Sequence, residues 1–361
     1  MKPLRICLVA PHYPPFVGGV EVHVQQLAKG LAALGNQVDV LTQADSGEPA
    51  SLELREEVRL QRFPIMLPSR HYSLAPALYR ELRRRRADYD VFHAHAYHSL
   101  PSLATAIAGC RPLIFTPHYH GTGHSAVRRL LHPPYRRLGR LTFEAAARVI
   151  CVSEPERALV ARHFPQVADK LVTVPNGVDL AALRSAPGLP LAGPTLLVAG
   201  RIESYKRVDR LLGALARMPP DWRMAVSGNG PLRPQLQRLS RELGLSDRVQ
   251  FLGNVPTAEL YSWLRSAAVV ASMSGHEAMP VVVVEALGAG TPVVLSPIPA
   301  HQALAERWPG AVTIVADPED PEAVAAALVG AARNRPSELR VPSWPDVVRE
   351  TLALYQTVTS G

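Results

Sequence analysis

Apolar positions along the chain change period again and again. Arg5-Ile6-Cys7-Leu8-Val9-Ala10 is a short apolar run of strand length, followed by a loop from Pro11 to Gly19. Val20, Val24, Leu27, Ala28 and Leu31 then recur at helical spacing up to Gly35, and Gln37 to Thr42 turns strand-like again. Asp90–His95, Leu113–His118, Arg148–Ser153 and Leu171–Val174 read as further strands. Pro187-Gly188, Pro190 and Gly193-Pro194 then crowd one short stretch, which places a domain boundary near residue 180. Beyond it the alternation restarts. Strands are expected at Thr195–Ala199, Met224–Ser227, Val249–Leu252, Ala267–Met273, Pro292–Leu295 and Ala311–Ala316. Helices fall between them, striped by Val208, Leu211, Leu212 and Leu215, then by Leu232, Leu236, Leu239 and Leu243, then near Ala258–Ser266. Others follow Pro280 and span Pro321–Ala332 and Trp344–Val358. Strands alternating with amphipathic helices predict an α/β fold with parallel sheets, here two Rossmann-like domains facing a central cleft. The expected division is residues 1–180, residues 181–340, and a C-terminal helix in residues 341–361.

The polar clusters of the second half fall between strands and helices: Arg201 with Lys206, Asn229 with Gly230, Asn254 with Val255, Glu277 with Glu285. Such loops share one edge of a parallel sheet, so these residues are expected to converge. Arg201 and Lys206 offer positive charge to a diphosphate. Ser274 to Gly290 is the densest stretch. A strand enters it, a short polar loop carries Glu277, and Pro280 opens an apolar helix that carries Glu285 eight residues further on. Carboxylates suit sugar hydroxyls, because each oxygen accepts two hydrogen bonds, and a helix N-terminus favours an anion. The stretch reads as a pocket for a phosphorylated sugar. In the first half, Gly18-Gly19 precedes a helix and can let the backbone approach a phosphate or sugar, though such a pair alone is more often a turn, and there is no Gly-x-Gly-x-x-Gly dinucleotide fingerprint.

Composition narrows the classes. The 361 residues are 47% hydrophobic, ample for packed cores, and no apolar run approaches the ~20 residues of a membrane span. The chain opens on a strand, so no signal peptide is expected. Cys7, Cys110 and Cys151 are scattered among apolar segments, which fits a reducing cytoplasm rather than a disulfide framework. Charge is uneven: residues 1–180 hold 22 Lys and Arg against 15 Asp and Glu, residues 181–361 hold 17 against 16. The basic excess is densest at Arg83-Arg84-Arg85-Arg86 and from Arg128 to Arg140. It reads either as a solvated face or as a surface for an anionic membrane, with a lipid-linked acceptor. Nucleic acid is not expected, since the basic stretches lack interleaved aromatics. His93, His95, His118, His120 and His124 could make a metal set, but no carboxylate or cysteine lies beside them to complete a familiar one, and no metal is expected. Most of these histidines read as surface or hydrogen-bonded residues. Only His118, at a strand end before Gly121 and Gly123, stands out.

Gly18-Gly19-Val20-Glu21, Pro175-Asn176-Gly177-Val178-Asp179, Gly200-Arg201 with Lys206, Gly228-Asn229-Gly230-Pro231, and Glu277 with Glu285 together resemble the family-four retaining glycosyltransferases of GT-B fold. The run Ala286-Leu287-Gly288-Ala289-Gly290-Thr291-Pro292-Val293-Val294 after the glutamates is the specific part, and the resemblance covers nearly the whole chain. It implies that the first domain binds an acceptor and the second a nucleotide-sugar, which is a co-substrate; no cofactor is implied. Arg201 and Lys206 would hold the donor diphosphate. Glu285 would accept hydrogen bonds from the ribose. Glu277 would bind the transferred sugar with the backbone of Ala278 and Met279 ahead of Pro280, where many relatives have Gly-Phe-Gly or Gly-Phe-Pro. The main chain near Asn254-Val255 would meet the base, with Asn229 and Gly230 nearby. Gly18-Gly19 would close on the diphosphate, His118 would lie close to the sugar, and the final helix would cross back onto the first domain. The expected catalytic set is His118, Glu277, Arg201 and Lys206, for retaining, metal-independent transfer of a hexosyl group in cell-envelope polysaccharide, glycolipid or other glycoconjugate synthesis. Other readings on this fold are a UDP-sugar 2-epimerase, a natural-product glycosyltransferase and a non-catalytic nucleotide-sugar-binding protein.

Overall fold

The structure, a computed structural model, describes residues 2–16, 18–66, 73–121, 126–336 and 339–360, with residues 126–135 described as helix backbone only. His124, Gly123 and the side chains from Arg128 to residue 135 lie outside that description.

The elements in chain order are β1 (Arg5–Val9), α1 (Gly19–Ala33), β2 (Gln37–Gln43), β3 (Ser51–Arg55), β4 (Val58–Phe63), α2 (Pro76–Arg84), β5 (Val91–His95), α3 (Leu100–Ile107), β6 (Leu113–Thr116), α4 (Ala126–Ala145), β7 (Arg148–Cys151), α5 (Glu154–His163) and β8 (Leu171–Thr173). Then come α6 (Leu180–Ser185), β9 (Thr195–Ala199), α7 (Val208–Leu215), β10 (Arg223–Ser227), α8 (Arg233–Glu242), β11 (Val249–Gly253), α9 (Thr257–Ser266), β12 (Val269–Ser272), α10 (Val281–Gly288), β13 (Val293–Leu295), α11 (Pro299–Arg307), β14 (Val312–Ile314), α12 (Pro321–Ala331) and α13 (Trp344–Thr359).

They form two compact units, Met1–Gly177 with Trp344–Gly361, and Val178–Ser343. The first has a sheet of order β3-β4-β2-β1-β5-β6-β7-β8, parallel except where β3 pairs antiparallel with β4. The second has an all-parallel sheet of order β11-β10-β9-β12-β13-β14. The strand order reverses once in each, between β1 and β5 and between β9 and β12. At such a reversal the loops leaving the two strands diverge to opposite faces and open a crevice at the carboxyl edge.

The core strands are apolar because both sheet faces are covered. In β1, Ile6, Cys7, Leu8 and Val9 are all fully buried. The hairpin β3–β4 departs from that rule. Every residue of β3 is exposed, and Glu56 and Glu57 turn the chain with φ of 51° and 64°. Turn positions of this kind ordinarily carry Asn or Gly, so nothing in the local composition marks this one.

Helix α13 belongs to the first unit. Gly30 of α1 sits so close to Val348 that a Cβ there would lie 2.4 Å from Val348 Cγ2. Tyr355 is fully buried and its hydroxyl lies 2.6 Å from His93 Nδ1. The chain leaves this unit at Gly177, whose missing side chain makes room for the backbone of Trp344: a Cβ would meet Trp344 N at 2.6 Å and Cα at 2.7 Å. The second unit closes on itself beside this point, through the Val178–Ser343 bridge and a 2.9 Å bond from Val178 N to Pro342 O.

The basic run at the end of α2 carries less free charge than its sequence suggests. Arg84 pairs with Glu81 at 2.6 Å, and Arg85 is pinned by Asp39 at 2.9 Å and Asp88 at 3.0 Å.

Gly177→Ala is expected to destabilise the first unit by about 1–3 kcal/mol, because backbone cannot yield as a side chain does. At roughly 2–4 °C per kcal/mol, a thermal melt should fall by several degrees. Gly19→Ala, with nothing within 4 Å of its added Cβ, serves as the control and should melt near the parent temperature.

Candidate functional site

The loops that leave β9, β10, β11 and β12 carry the polar clusters of the second unit to one sheet edge. Glycines bring the first three loops together. Gly228, with φ 122°, would drive a Cβ to 2.0 Å from Gly200 O, and a Cβ on Gly230 would lie 2.2 Å from Ile202 O. Ile202 N bonds to Asn229 O at 2.9 Å, and Gly228 N to Gly253 O at 2.6 Å. The backbones before Arg201, Asn229 and Asn254 are thereby held side by side. Asn229 is steadied from below, since Arg233 donates to its Oδ1 at 2.5 Å and to Phe251 O at 3.2 Å.

Lys206 and Glu277 meet across the strand-order reversal. Lys206 ends a short 3-10 turn after β9, Glu277 sits in the loop after β12, and Nζ lies 2.6 Å from Oε1. Their side chains are only 21% and 13% exposed. Burial pulls the Lys206 ammonium down, but the charge of Glu277, with Tyr205 and the hydrogen bond to Glu277, outweighs it and leaves the pKa raised. Burial likewise pushes the Glu277 carboxyl up, and the charge and hydrogen bond of Lys206, with Ser274, bring it below its ordinary value. Both groups stay charged. Arg201, on the same loop as Lys206, is exposed, and its charge works against that of Lys206. The two loops are also tied by Gly275 N to Tyr205 O at 2.7 Å and by stacking of Tyr205 on His276 at 4.5 Å.

Glu285 stands inside α10 rather than on a loop, as its fifth residue. It is 9% exposed, and among the described residues its carboxylate accepts one hydrogen bond, a long one from the Tyr261 hydroxyl at 3.4 Å. Burial raises its pKa to about 7, with Tyr261 opposing. The helix begins after Pro280, and no side chain caps it. Ala278 and Met279 lead directly into that end.

In the first unit, Gly18 caps α1 in extended conformation, and a Cβ there would lie 2.3 Å from Glu21 Oε2. One turn on, His23 is buried on the same helix. His95 ends β5 and His118 follows β6 with φ 48°. The expectation that most of these histidines are surface or hydrogen-bonded holds for His93, which engages Tyr355 and Thr116, and fails for His95. His95 is fully buried and neither ring nitrogen has a hydrogen-bond partner, and His118 Nε2 is buried without one. Burial, with like-charge neighbours, holds the pKa values of His93, His95 and His118 well below the ordinary range. Burial takes His23 to about 4, against its bond to Asn176.

Several residues escaped the sequence reading. His301 has Nδ1 3.0 Å from Ser296 O, and its charge would bear on Glu277. Glu156 accepts hydrogen bonds from the backbone N–H groups of Tyr119 and Val152, fixing the turn that holds His118, with burial raising its pKa to about 7. A usable signal existed for His23. It lies three residues after Val20 and four before Leu27, so a polar side chain occupies the buried stripe of a helix.

Residues 17–182 match the family model described as Glycosyltransferase Family 4, and residues 181–341 the model for glycosyl transferases group 1. The D-inositol 3-phosphate glycosyltransferase of Kribbella flavida is 30% identical over 421 residues, covering 99% of this chain and 97% of that protein. The chain belongs to the group 1 glycosyltransferases. The phosphatidyl-myo-inositol mannosyltransferase of Mycobacterium tuberculosis is also 30% identical, over 99% of the chain and 98% of its own length. Among solved structures, sucrose-phosphate synthase from Thermosynechococcus elongatus aligns with a TM-score of 0.74 at 20% identity, covering 99% of both chains. The Anabaena protein Alr3699/HepE, in complex with UDP and glucose, gives 0.73 at 19% identity, covering 98% of this chain and all of that one. These likenesses show the GT-B fold. As a group 1 glycosyltransferase the chain moves a sugar from a nucleotide-sugar to an acceptor.

Glu285 offers a stability test of the site. Its folded pKa of about 7 stands above its ordinary 4.5, so the stability linked to its neutral form is fully present below 4.5 and is lost as pH rises through about 7. The loss is on the order of 3 kcal/mol. Glu285→Gln keeps an acceptor for Tyr261 and removes the charge. It should melt above the parent at pH 8, and the difference should close at pH 4.5. Equal pH sensitivity of the two proteins would show that Glu285 is already ionised at little cost.

Proposed function

We propose that this glycosyltransferase is a retaining, metal-independent hexosyltransferase that uses a UDP- or GDP-sugar. Its acceptor is a hydroxyl of a cell-envelope polysaccharide, glycolipid or other glycoconjugate. The observation that carries the reading is the half-buried Lys206–Glu277 pair at the strand-order reversal of the second unit, with Glu285 in the helix that follows. The second domain binds the donor and the first the acceptor. Relatives named for D-inositol 3-phosphate and phosphatidyl-myo-inositol support an acceptor of the polyol or glycolipid kind.

In this reading, the donor diphosphate lies between Arg201, Lys206 and the uncapped start of α10. These positive groups face the charge that develops on the departing nucleoside diphosphate, so the step calls on no metal. Glu277 turns from Lys206 toward hydroxyls of the transferred sugar, beside the backbone of Ala278 and Met279. The Gly228–Gly230 and Asn254-Val255 backbones meet the nucleoside, and Glu285 accepts from the ribose. Gly18-Gly19 and His118 serve the diphosphate and the sugar from the first domain. Attack comes on the face the leaving group quits. The glycosidic bond to the diphosphate breaks as the acceptor oxygen bonds to the anomeric carbon, and the departing phosphate oxygen takes the acceptor proton. No protein nucleophile is used, and configuration is retained.

Lys206→Ala should lower kcat/KM by about 10²–10³, the cost of removing one group aimed at developing charge. A panel of UDP-glucose, UDP-N-acetylglucosamine and GDP-mannose, read by thermal shift, should single out the donor by mass action. Wild-type turnover in the K206A protein would remove Lys206 from the diphosphate. Hydroxyl donors from the ribose favour the charged form of Glu285. Affinity for that nucleotide-sugar should therefore rise as pH passes upward through about 7, and the rise should vanish in Glu285→Gln. Calorimetry at pH 6 and 8 reads it, and a flat profile in the parent speaks against contact with the ribose.

Among the described residues, no helix is long and apolar enough to cross a membrane. We propose peripheral contact of the basic first domain with anionic lipid at the inner membrane face. Co-sedimentation with liposomes should grow with anionic lipid and fall with salt; binding that ignores lipid charge would refute it.

A further inference from the structure

The first unit has a cluster of imidazoles that the transfer reaction leaves mostly unused. His23 from α1, His95 at the end of β5 and His118 after β6 converge at the β1–β5 strand-order reversal. One ring nitrogen from each lies within 4.8 Å of the others. The ring centroids are 5.4 Å apart for His23 and His95, 5.2 Å for His23 and His118, and 6.1 Å for His95 and His118. Three imidazoles on a tetrahedral Zn²⁺, bound at about 2.0–2.1 Å, put their centroids about 5 Å apart and their nitrogens about 3.4 Å apart. Each ring therefore needs to close in by less than about 1 Å.

The hydrogen bonding around the cluster favours an ion over a simple polar core. A buried polar ring atom without a partner is costly, and among the described residues His95 has two. His118 Nε2 is a third. His23 is prepared as a ligand. Its Nδ1 lies 2.7 Å from Asn176 Oδ1, which only accepts, so Nδ1 carries the proton and Nε2 keeps its lone pair. This is how metal-binding histidines are ordinarily oriented, by an outer acceptor that fixes the tautomer. His93, by contrast, has both nitrogens engaged, with Tyr355 at 2.6 Å and Thr116 at 2.7 Å, and it backs the ring of His95 at 4.0 Å. The set keeps His95 and His118 of the five histidines that sequence spacing brought together, leaves out His93 and His120, gains His23 from a distant helix, and needs no carboxylate or cysteine.

We propose that His23, His95 and His118 form a three-imidazole site for a Zn²⁺-class cation, with the fourth position open, and that occupancy inhibits transfer. Three neutral nitrogens suit Zn²⁺, Co²⁺ or Ni²⁺ and disfavour Mg²⁺ and Ca²⁺, which prefer oxygen. The inhibitory part rests on the role proposed above for His118 toward the transferred sugar: an imidazole bound to the ion cannot also serve the donor.

Zn²⁺ titration of the full chain by calorimetry should give one site per chain. Co²⁺ should give the intense visible bands of a tetrahedral centre, bleached by Zn²⁺. His23→Ala and His95→Ala should each weaken Zn²⁺ binding at least about tenfold, and Asn176→Ala should weaken it about 10–100-fold through His23. His276→Ala, in the other unit, should bind as the parent does. Metal-free melts of each variant show whether it is folded, and His23→Gln replaces His23→Ala if that protein is not. Zn²⁺ should raise the parent's melting temperature and leave that of the His23 variant unchanged. No one-to-one binding, or variants that bind as tightly as the parent, would overturn the site. Transfer by the parent should fall with one equivalent of Zn²⁺ and recover with chelator. Bound Zn²⁺ with undiminished transfer would overturn the role given to His118 while the site itself stands.

Discussion

One half-buried ion pair organises the second unit's working edge. Lys206 and Glu277 come from strands that are neighbours in the sheet but far apart in sequence, and each would be expensive to bury alone. Together they stay charged with little exposure. The pair fixes where two loops stand, and the bonds from Gly275 to Tyr205 and from Ile202 to Asn229 carry that registration outward. Removing either partner would strand the other in a half-buried place, at less than the roughly 3–5 kcal/mol of a fully buried pair. In the proposed function the same two charges engage the nucleotide-sugar, and without it they solvate each other.

Glu285 and Glu156 show the opposite economy. Each is a buried carboxyl without a cationic partner among the described residues, and burial raises each to about 7. Glu156 is compensated in part by two backbone N–H groups and holds the turn behind His118. Among the described residues the Glu285 carboxylate has one long bond, from Tyr261. A residue that costs stability where it stands is one that some other demand keeps there.

Much of this was legible in the chain. Apolar runs such as Ile6–Val9 and Leu196–Val198 announce strands covered on both faces, and the loop positions of Lys206, Asn229 and Glu277 follow from strand-to-helix alternation. What was not legible depended on long-range pairing. The β3–β4 hairpin turns on two glutamates, with no turn residue to betray it. The charge of Arg84 and Arg85 is spent on Glu81, Asp39 and Asp88, of which Asp39 is distant in sequence. Histidine spacing pointed to His93, yet Tyr355, from the far end of the chain, claims that ring. The polar interruption of a helical stripe at His23 was the better clue.

The place of α13 has a consequence for how the chain reaches its native state. The first sheet is built from residues before Gly177, yet its cover over α1 and the partner of His93 lie beyond Trp344. A ribosome delivers the whole second unit before it delivers Tyr355. The earlier-made half must therefore wait with an apolar face uncovered while the later-made half, continuous from Val178 to Ser343, completes its own core. Order of synthesis and order of completion are reversed, and the half that waits is the one holding the imidazole cluster.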